Sequence, residues 1–477
     1  MSEPLAAVVL CAGKGTRMKS ETAKVLHPVL GQPLAAWPIG RALALGCRPV
    51  VAVVGHQGEQ VRKALEARFP DRPLRFATQD EQRGTADAVR VGLGALEGVE
   101  GPVLVMYGDT PLLQEATLRA LLKAYRQGTA PLALVSVKSP TPDGYGRVLR
   151  VSGRITGIVE EKDCTADQKS IDEVNVGVYV IDAAFLREGL AQLRPANAQG
   201  EYYLTDLVAL AARRGEIGSH RAPLDDTFGV NDRVDLSFCS QMLQRRINIE
   251  HMLAGVTMSD PNTIAIEPDV TIGPDTVIEP GVSLRGRTRI GSRVTLGQGS
   301  VLTNTEIGDG TTVLPYSVAT DSRVGPRCLI GPFARMRPGS ELGEAVELGN
   351  FAETKKVRIG QGTKAHHHCY LGDSVIGAKV NIGAGTITCN YDGFAKHVTE
   401  IADGAFIGSD SQLVAPVHVG RRAVVAAGAT ITEDVPDGAL AIGRVPTTHK
   451  PGYADAVAAR YAGKKAPSKP ASASKKG

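Results

Sequence analysis

Several things are scarce in this 477-residue chain. Aromatic residues make up 4%, with one tryptophan, so no thick aromatic-packed core is expected. The seven cysteines (Cys11, Cys47, Cys164, Cys239, Cys328, Cys369 and Cys389) are scattered without a CxxC pair. That excludes a ribbon-type zinc site and gives no disulfide framework. No apolar run approaches the ~18 residues of a membrane span, and MSEPLAAVVL has no basic n-region. A reducing cytoplasmic location without membrane insertion is expected. Net charge is scarce as well. The chain carries +4, but five lysines and no acid lie within 461–477, leaving −1 for the rest. A nucleic-acid-binding body is therefore not expected, and the Pro/Ala/Ser/Lys tail should be a disordered basic extension.

What is abundant is glycine, 54 residues, and the chain falls into two halves of different period. In the first, PLAAVVL (4–10), VVAVVG (50–55), VLVMYGD (103–109) and LALVSV (132–137) read as buried strands. Between them, 58–69 and 117–128 carry apolar residues at helical spacing. This alternation predicts an α/β domain with a mostly parallel sheet. Residues 231–254 read as one helix of about six to seven turns joining the halves. Beyond it, Ile272, Ile278, Leu284, Ile290, Leu296 and Leu302 stand six apart, with Thr276, Val282, Thr288, Val294 and Ser300 in the small or β-branched place. The spacing resumes at Val324, Ile330, Met336, Leu342 and Leu348, and again from Ile401 to Ile431. A six-residue repeat predicts a parallel β-helix with three short strands per coil. TCNYDGFAKHVT (388–399) leaves the register and should project as a loop. The resulting division is 1–230, a linker helix 231–255, a β-helix 256–460 and the tail 461–477.

Chemistry concentrates in two places. The first strand runs into Cys11-Ala12-Gly13-Lys14-Gly15-Thr16-Arg17-Met18. A glycine-rich turn leaving a buried strand can cradle phosphate oxygens with backbone N–H groups, aided by a helix N-terminus. It lacks the GK[ST] ending of a Walker loop, and Met18 occupies the third glycine place of a dinucleotide fingerprint. Asp109 stands at the C-terminal end of another strand, where open α/β sheets bind ligands; it is either a helix cap or an Mg²⁺ ligand. The second place is KAHHHCYLGD (364–373). In the six-residue register Ala365, Cys369 and Leu371 point inward. Consecutive side chains of an extended segment diverge, so His366, His367 and His368 cannot all converge on one ion. Their default reading is solvated corner residues.

LCAGKGTRM with Lys24, Gln79, Gly84-Thr85, Tyr107-Gly108-Asp109, Gly144-Tyr145-Gly146-Arg147, Glu160, Asn175, GEYYLTD (200–206) and Val230-Asn231 resembles the bacterial sugar-nucleotide pyrophosphorylase pattern. With the β-helix behind it, the chain to about residue 460 resembles the bifunctional N-acetylglucosamine-1-phosphate uridyltransferase / glucosamine-1-phosphate acetyltransferase family. It departs from that pattern at Cys11, where Ala is usual, and at Val176, where Thr is common.

The resemblance implies a Rossmann-like nucleotidyltransferase domain, a left-handed coil and a homotrimer assembled through it. For the first site it implies that Leu10, Cys11, Ala12 and Gly13 line the UTP loop, while Arg17 and Lys24 neutralise phosphate charge. Gln79, Gly84 and Thr85 would select uracil beside Tyr107 and Gly108. Asp109 and Asn231 would hold Mg²⁺, and Gly146, Glu160 and Asn175 would grip the sugar. For the second site it implies His367 as general base. Arg337, Lys355, Tyr370, Asn381 and Lys396 would bind glucosamine 1-phosphate, and Ala384, Asn390, Tyr391, Ser409, Ala427 and Arg444 acetyl-CoA. A nucleotidyltransferase whose β-helix is only regulatory or structural is the alternative; it has no use for the second residue set.

Overall fold

The structure is a computed structural model and describes residues 4–13, 15–72 and 74–462. The remainder of the expected tail, 463–477, lies outside the described residues, as does Lys14. The expected start of that tail is still helical, since a helix spans Tyr453–Tyr461. The chain divides into two compact units at Pro338/Gly339, and each is described by itself.

In the first unit the apolar runs are strands Ala6–Leu10, Val50–Val54, Pro102–Tyr107 and Leu132–Lys138. β-Branched residues such as Val50, Val51, Val53 and Val54 suit a pleated surface buried on both faces. Along the sheet the order is Gly218–Arg221, Leu132–Lys138, Glu173–Asp182, Pro102–Tyr107, Ala6–Leu10, Val50–Val54, Leu74–Thr78. Glu173–Asp182 is antiparallel to both of its neighbours, while the other pairs on this path are parallel. Two apolar layers cover the sheet. One includes Val8, Val53, Val89 and Leu207; the other includes Val9, Ala52, Leu65 and Leu121.

The linker helix is Arg233–Leu253, about 31 Å long. Asp232 caps it by accepting from the Val234 and Asp235 amides. Its inner face is held by a cluster of Met18, Trp37, Leu112, Val230, Cys239 and Leu243. Arg246 donates to the Leu112 carbonyl at 2.6 Å and pairs with buried Asp226 at 3.0 Å. The helix thereby fixes the segment following Asp109.

The six-residue repeat forms coils in which each short strand pairs in parallel with the one three strands later. Examples are Val277–Ile278 with Thr295–Leu296, and Ser283–Arg285 with Val301–Thr303. Ile278, Leu284, Ile290, Leu296 and Leu302 are buried, as are Thr276, Thr288 and Ser300 in the small place; Ile272, in the end coil, is half-buried. The threonines meet their polar cost by bonding to main chain, as Thr276 Oγ1 does to the Gly291 carbonyl at 2.9 Å.

The second unit has the same coil grammar. Ser340–Leu342 pairs with the C-terminal part of Glu353–Ile359, and that strand with Tyr370–Ile376. Leu342, Leu348, Ile401, Ile407, Leu413, Val419 and Val425 are buried. The projecting loop is shorter than expected. Thr388 and Cys389 remain in strand, paired with Leu413 and Val414, and Thr399 rejoins opposite Ser374. The excursion is therefore 390–398.

Candidate functional sites

The glycine loop after the first strand departs from the sequence expectation at one point. No α-helix follows the glycines; Thr16–Met18 is a single 3-10 turn. The positive field at this loop thus comes from side chains rather than a helix dipole. Gly15 has φ +61°, and a Cβ there would lie 2.5 Å from Lys24 Cβ. Glycine is what allows Lys24 to pack against the loop. Met18 is fully buried and pins the turn to the linker-helix cluster.

Lys24 Nζ lies 2.5 Å from Asp109 Oδ2, with side-chain exposures of 14% and 23%. Arg17 donates to Asn231 Oδ1 at 2.9 Å, and the Val230 amide donates to the Asp109 carbonyl at 2.9 Å. Two oxygen donors expected to hold a cation are thus brought to one place from residues 109 and 231, each resting against a cationic side chain.

A cavity of about 300 Å³ opens beside them. Its walls include Leu10, Ala12, Gly13, Lys24, Gln79, Gly84, Thr85, Tyr107 and Asp109, all expected from the sequence. Cys11 is different: it is buried, and its Sγ would sit 2.6 Å from a Cβ at Gly108. Burial pushes its thiol up to about 12, so only its main chain is available to a ligand. At Gly84, with φ +112°, a Cβ would stand 2.5 Å from the Tyr202 carbonyl oxygen, so only glycine fits this close approach. The helix N-terminus that does reach the cavity is that of Thr85–Gly94. Gln79 donates to Asp87 Oδ2 at 3.0 Å, which orients its amide.

Gly146, Glu160 and Asn175 form an adjoining group. The Asn175 amide donates to the Gly146 carbonyl at 2.8 Å, and a Cβ on Gly146 would come 3.4 Å from Glu160 Oε2. Burial raises the Glu160 carboxyl above its ordinary value, opposed by the bond it accepts from Thr205 Oγ1 at 2.9 Å. Gly177, at φ +75°, leaves room for the Tyr107 ring, 1.8 Å from where a Cβ would stand.

Sequence reasoning missed Gln82, Glu201 and Thr205. Gln82 and Glu201 line the cavity, and Gln82 Nε2 donates to the Ala12 carbonyl at 2.5 Å. Glu201 and Thr205 lie within GEYYLTD, so the motif pointed to them without giving them a task.

In the second unit, Ala365, Cys369 and Leu371 are buried, as their register requires. His367 and His368 are exposed. His366 departs from the expected solvated corner residue. Its Nε2 lies 2.6 Å from Glu347 Oε2, and Lys364 Nζ lies 2.9 Å from Oε1 of the same carboxylate. These contacts, Lys364 foremost, hold the Glu347 carboxyl below its ordinary value.

Register places Lys355 beside Gly372 and His367 beside Asn350. The Tyr370 ring folds back over Gly372, its hydroxyl 2.4 Å from a Cβ position there, so Lys355 and Tyr370 share a face. Asn381 pairs with Lys364, on the strand adjoining His367. Lys396 Nζ lies 3.8 Å from Asp373 Oδ2, and Asn390 Nδ2 2.5 Å from the same oxygen.

Ala384, Ser409 and Ala427 occupy equivalent corners of successive coils. The Asp410 amide donates to the Ala384 carbonyl, the Gly428 amide to that of Ser409, and Arg444 to that of Ala427 at 2.6 Å. The side chains at these corners are small, and Tyr391 is exposed in the loop. Arg337 is half-buried and lies in the first unit, one position before its end.

Residues 7–201 match the MobA-like NTP transferase domain, and residues 269–304 and 399–433 match the bacterial transferase hexapeptide (six repeats). Over 451 residues, 94% of this chain and 92% of the other, the sequence is 52% identical to the bifunctional protein GlmU of Anaeromyxobacter sp.. The chain belongs to the bifunctional GlmU family. Identity to the GlmU of Trichlorobacter lovleyi is 48%, covering 94% of this chain and 97% of that one. With the GlmU of Sorangium cellulosum it is again 48%, covering 96% and 97%. These alignments span both halves, so GlmU likeness extends across the sugar-nucleotide pattern and the hexapeptide coils together.

Proposed function

We propose that the chain makes UDP-N-acetylglucosamine by two reactions. It acetylates glucosamine 1-phosphate with acetyl-CoA, then transfers UMP from UTP to N-acetylglucosamine 1-phosphate, releasing pyrophosphate. The observation that carries the first assignment is the cavity beside Lys24 and Asp109, lined by residues from five separate stretches.

In the uridylyl step a phosphate oxygen of the sugar phosphate attacks the α-phosphorus while the bond to pyrophosphate breaks. The nucleophile is already anionic, so catalysis reduces to positioning and charge neutralisation. Arg17 and Lys24 supply the positive charge, Gln79, Gly84 and Thr85 read the uracil, and Gly146, Glu160 and Asn175 hold the sugar. Asp109 and Asn231 offer the hard oxygen donors that suit Mg²⁺. The metal's contribution when bound is to offset triphosphate charge. The Lys24–Asp109 pair fits this, because an ammonium now stands against the carboxylate that would face a cation.

In the acetyl step the sugar amine attacks the thioester carbonyl, its proton passes to His367, and CoA leaves as thiolate. Imidazole is the side chain whose ordinary titration spans neutrality, which is what this step needs. Arg337, Lys355, Tyr370, Asn381 and Lys396 would bind the sugar phosphate. The stacked corners at Ala384, Ser409 and Ala427, with Asn390, Tyr391 and Arg444, would take acetyl-CoA. We place the functional boundaries at 230, 255 and 460. A cytoplasmic homotrimer is part of this reading; support comes from the loop tip, where Phe394 is 98% exposed on a braced hairpin. Among the described residues no helix is long and apolar enough to cross a membrane.

The test separates the half-reactions. Asp109→Ala should abolish UTP-dependent pyrophosphate release and leave acetyl transfer intact, and His367→Ala should do the reverse. Full acetyl transfer by His367→Ala removes the base assignment. Absence of CoA release by the unmodified protein with glucosamine 1-phosphate would instead leave the coils a structural role.

A further inference from the structure

The loop 390–398 is braced within itself. Asp392 accepts from the Phe394 and Ala395 amides at 2.8 and 2.7 Å, and its other oxygen lies 2.7 Å from His397 Nε2. Tyr391 and Lys396 face each other across an antiparallel bridge, and the His397 amide closes the base on the Asn390 carbonyl at 2.9 Å. A hairpin tied in this way moves as a body, so its pose depends on what holds its base. That base meets Asp373, whose side chain is 13% exposed. A single oxygen, Oδ2, accepts from Asn390 Nδ2 at 2.5 Å and faces Lys396 Nζ at 3.8 Å. Asp373 is itself set by its neighbour: buried Thr388 accepts from the Gly372 amide at 2.8 Å and donates to the Gly372 carbonyl at 2.9 Å.

We infer that Asp373 is a positioning residue of the acetyl-transfer site, setting the loop's acetyl-CoA contact and its sugar-phosphate contact together through one carboxylate oxygen. This rests on the roles proposed above for Asn390 and Lys396. The shared oxygen couples the two substrates physically, since a shift of the hairpin displaces both residues at once.

Asp373 has φ +45°, a region open to Gly and tolerated by Asn, so Asp373→Gly and Asp373→Asn both remove the carboxylate without adding much backbone strain. Steady-state acetyl transfer is measured on the full-length protein, with UTP-dependent pyrophosphate release from the same preparations as the control for folding. Asp373→Gly removes both contacts and is expected to raise KM for acetyl-CoA and for glucosamine 1-phosphate on the order of tenfold to a hundredfold. Asp373→Asn keeps a neutral acceptor for Asn390 but no charge for Lys396. It should leave KM for acetyl-CoA within about threefold of the unmodified protein while KM for the sugar phosphate rises. Pyrophosphate release should be unchanged in both. The inference is overturned if Asp373→Gly leaves both KM values within twofold, if the two variants behave alike, or if pyrophosphate release falls in parallel. Acetyl transfer absent from the unmodified protein would defeat the acetyltransferase reading itself, whereas active protein with indifferent variants defeats this inference alone.

Discussion

Replacing Gly15 by alanine tests whether the glycine loop works by backbone freedom or by placing Lys24. Two costs follow from the structure. A left-handed residue with a Cβ costs about 1–2 kcal/mol, since φ is +61°. The new Cβ would also stand 2.5 Å from Lys24 Cβ, whereas carbon atoms rest about 3.5–4.0 Å apart. Lys24 must then retreat by roughly 1 Å, out of register with Asp109 Oδ2. A displacement of that size costs on the order of a hundredfold in rate, about 2.7 kcal/mol of transition-state stabilisation. Gly46 supplies the control, with φ +91° and nothing within 4 Å of its Cβ position. Gly46→Ala therefore carries the backbone strain without the displacement. The assay is kcat/KM for UTP-dependent pyrophosphate release, with acetyl transfer and thermal unfolding measured alongside. Both variants should unfold slightly earlier, only Gly15→Ala should lose uridylyl transfer, and both should keep acetyl transfer. Uridylyl transfer by Gly15→Ala within twofold of the unmodified protein refutes the argument.

Which parts of this molecule could be read in advance depends on the range of the interactions involved. The coil register follows from a local rule, an aliphatic side chain every sixth residue, and it placed Ala365, Cys369 and Leu371 inside. The strands on either side of the glycine loop were similarly local, being apolar runs ending at glycine. The reversed strand Glu173–Asp182 was not legible, because its direction is set by partners about 40 and 75 residues away. Local spacing also failed at Thr16–Met18, where a helix was expected. Two left-handed residues, Gly15 and Lys19, bracket a single turn there, and Met18 is drawn into a cluster with Trp37 and Cys239 instead. The His366–Glu347 pair belongs to the same class, since it joins neighbouring coils 19 positions apart. The residues expected at the first site were recognisable from their motif. What the motif could not give is how they hold one another: Lys24 on Asp109, Arg17 on Asn231 and Thr205 on Glu160.

Two further outcomes are expected. Burial pushes the thiols of Cys11, Cys47, Cys239 and Cys369 up to about 12, so at pH 8 only about one molecule in ten thousand carries each thiolate. Mass-spectrometric mapping after brief iodoacetamide treatment should find label at half-buried Cys164 and Cys389 and not at those four; rapid labelling of Cys11 would contradict the burial. The last outcome concerns Glu160, whose carboxyl is raised chiefly by burial, with the Thr205 hydrogen bond acting against it. A carboxyl with a raised value in the folded state favours folding while it is protonated. That contribution is fully present below its unfolded value near 4.5 and is lost as pH rises through the folded value. Above the folded value the fold bears a desolvated anion, which function requires if it grips sugar hydroxyls. Glu160→Gln keeps an acceptor for Thr205 and removes the charge, so the first unit should melt later than the unmodified protein at pH 7.5. The advantage should shrink as pH is lowered through the folded value, while KM for N-acetylglucosamine 1-phosphate rises. A melting difference that grows on acidification would mean that the carboxylate stabilises the fold, and the sign of the argument would be wrong.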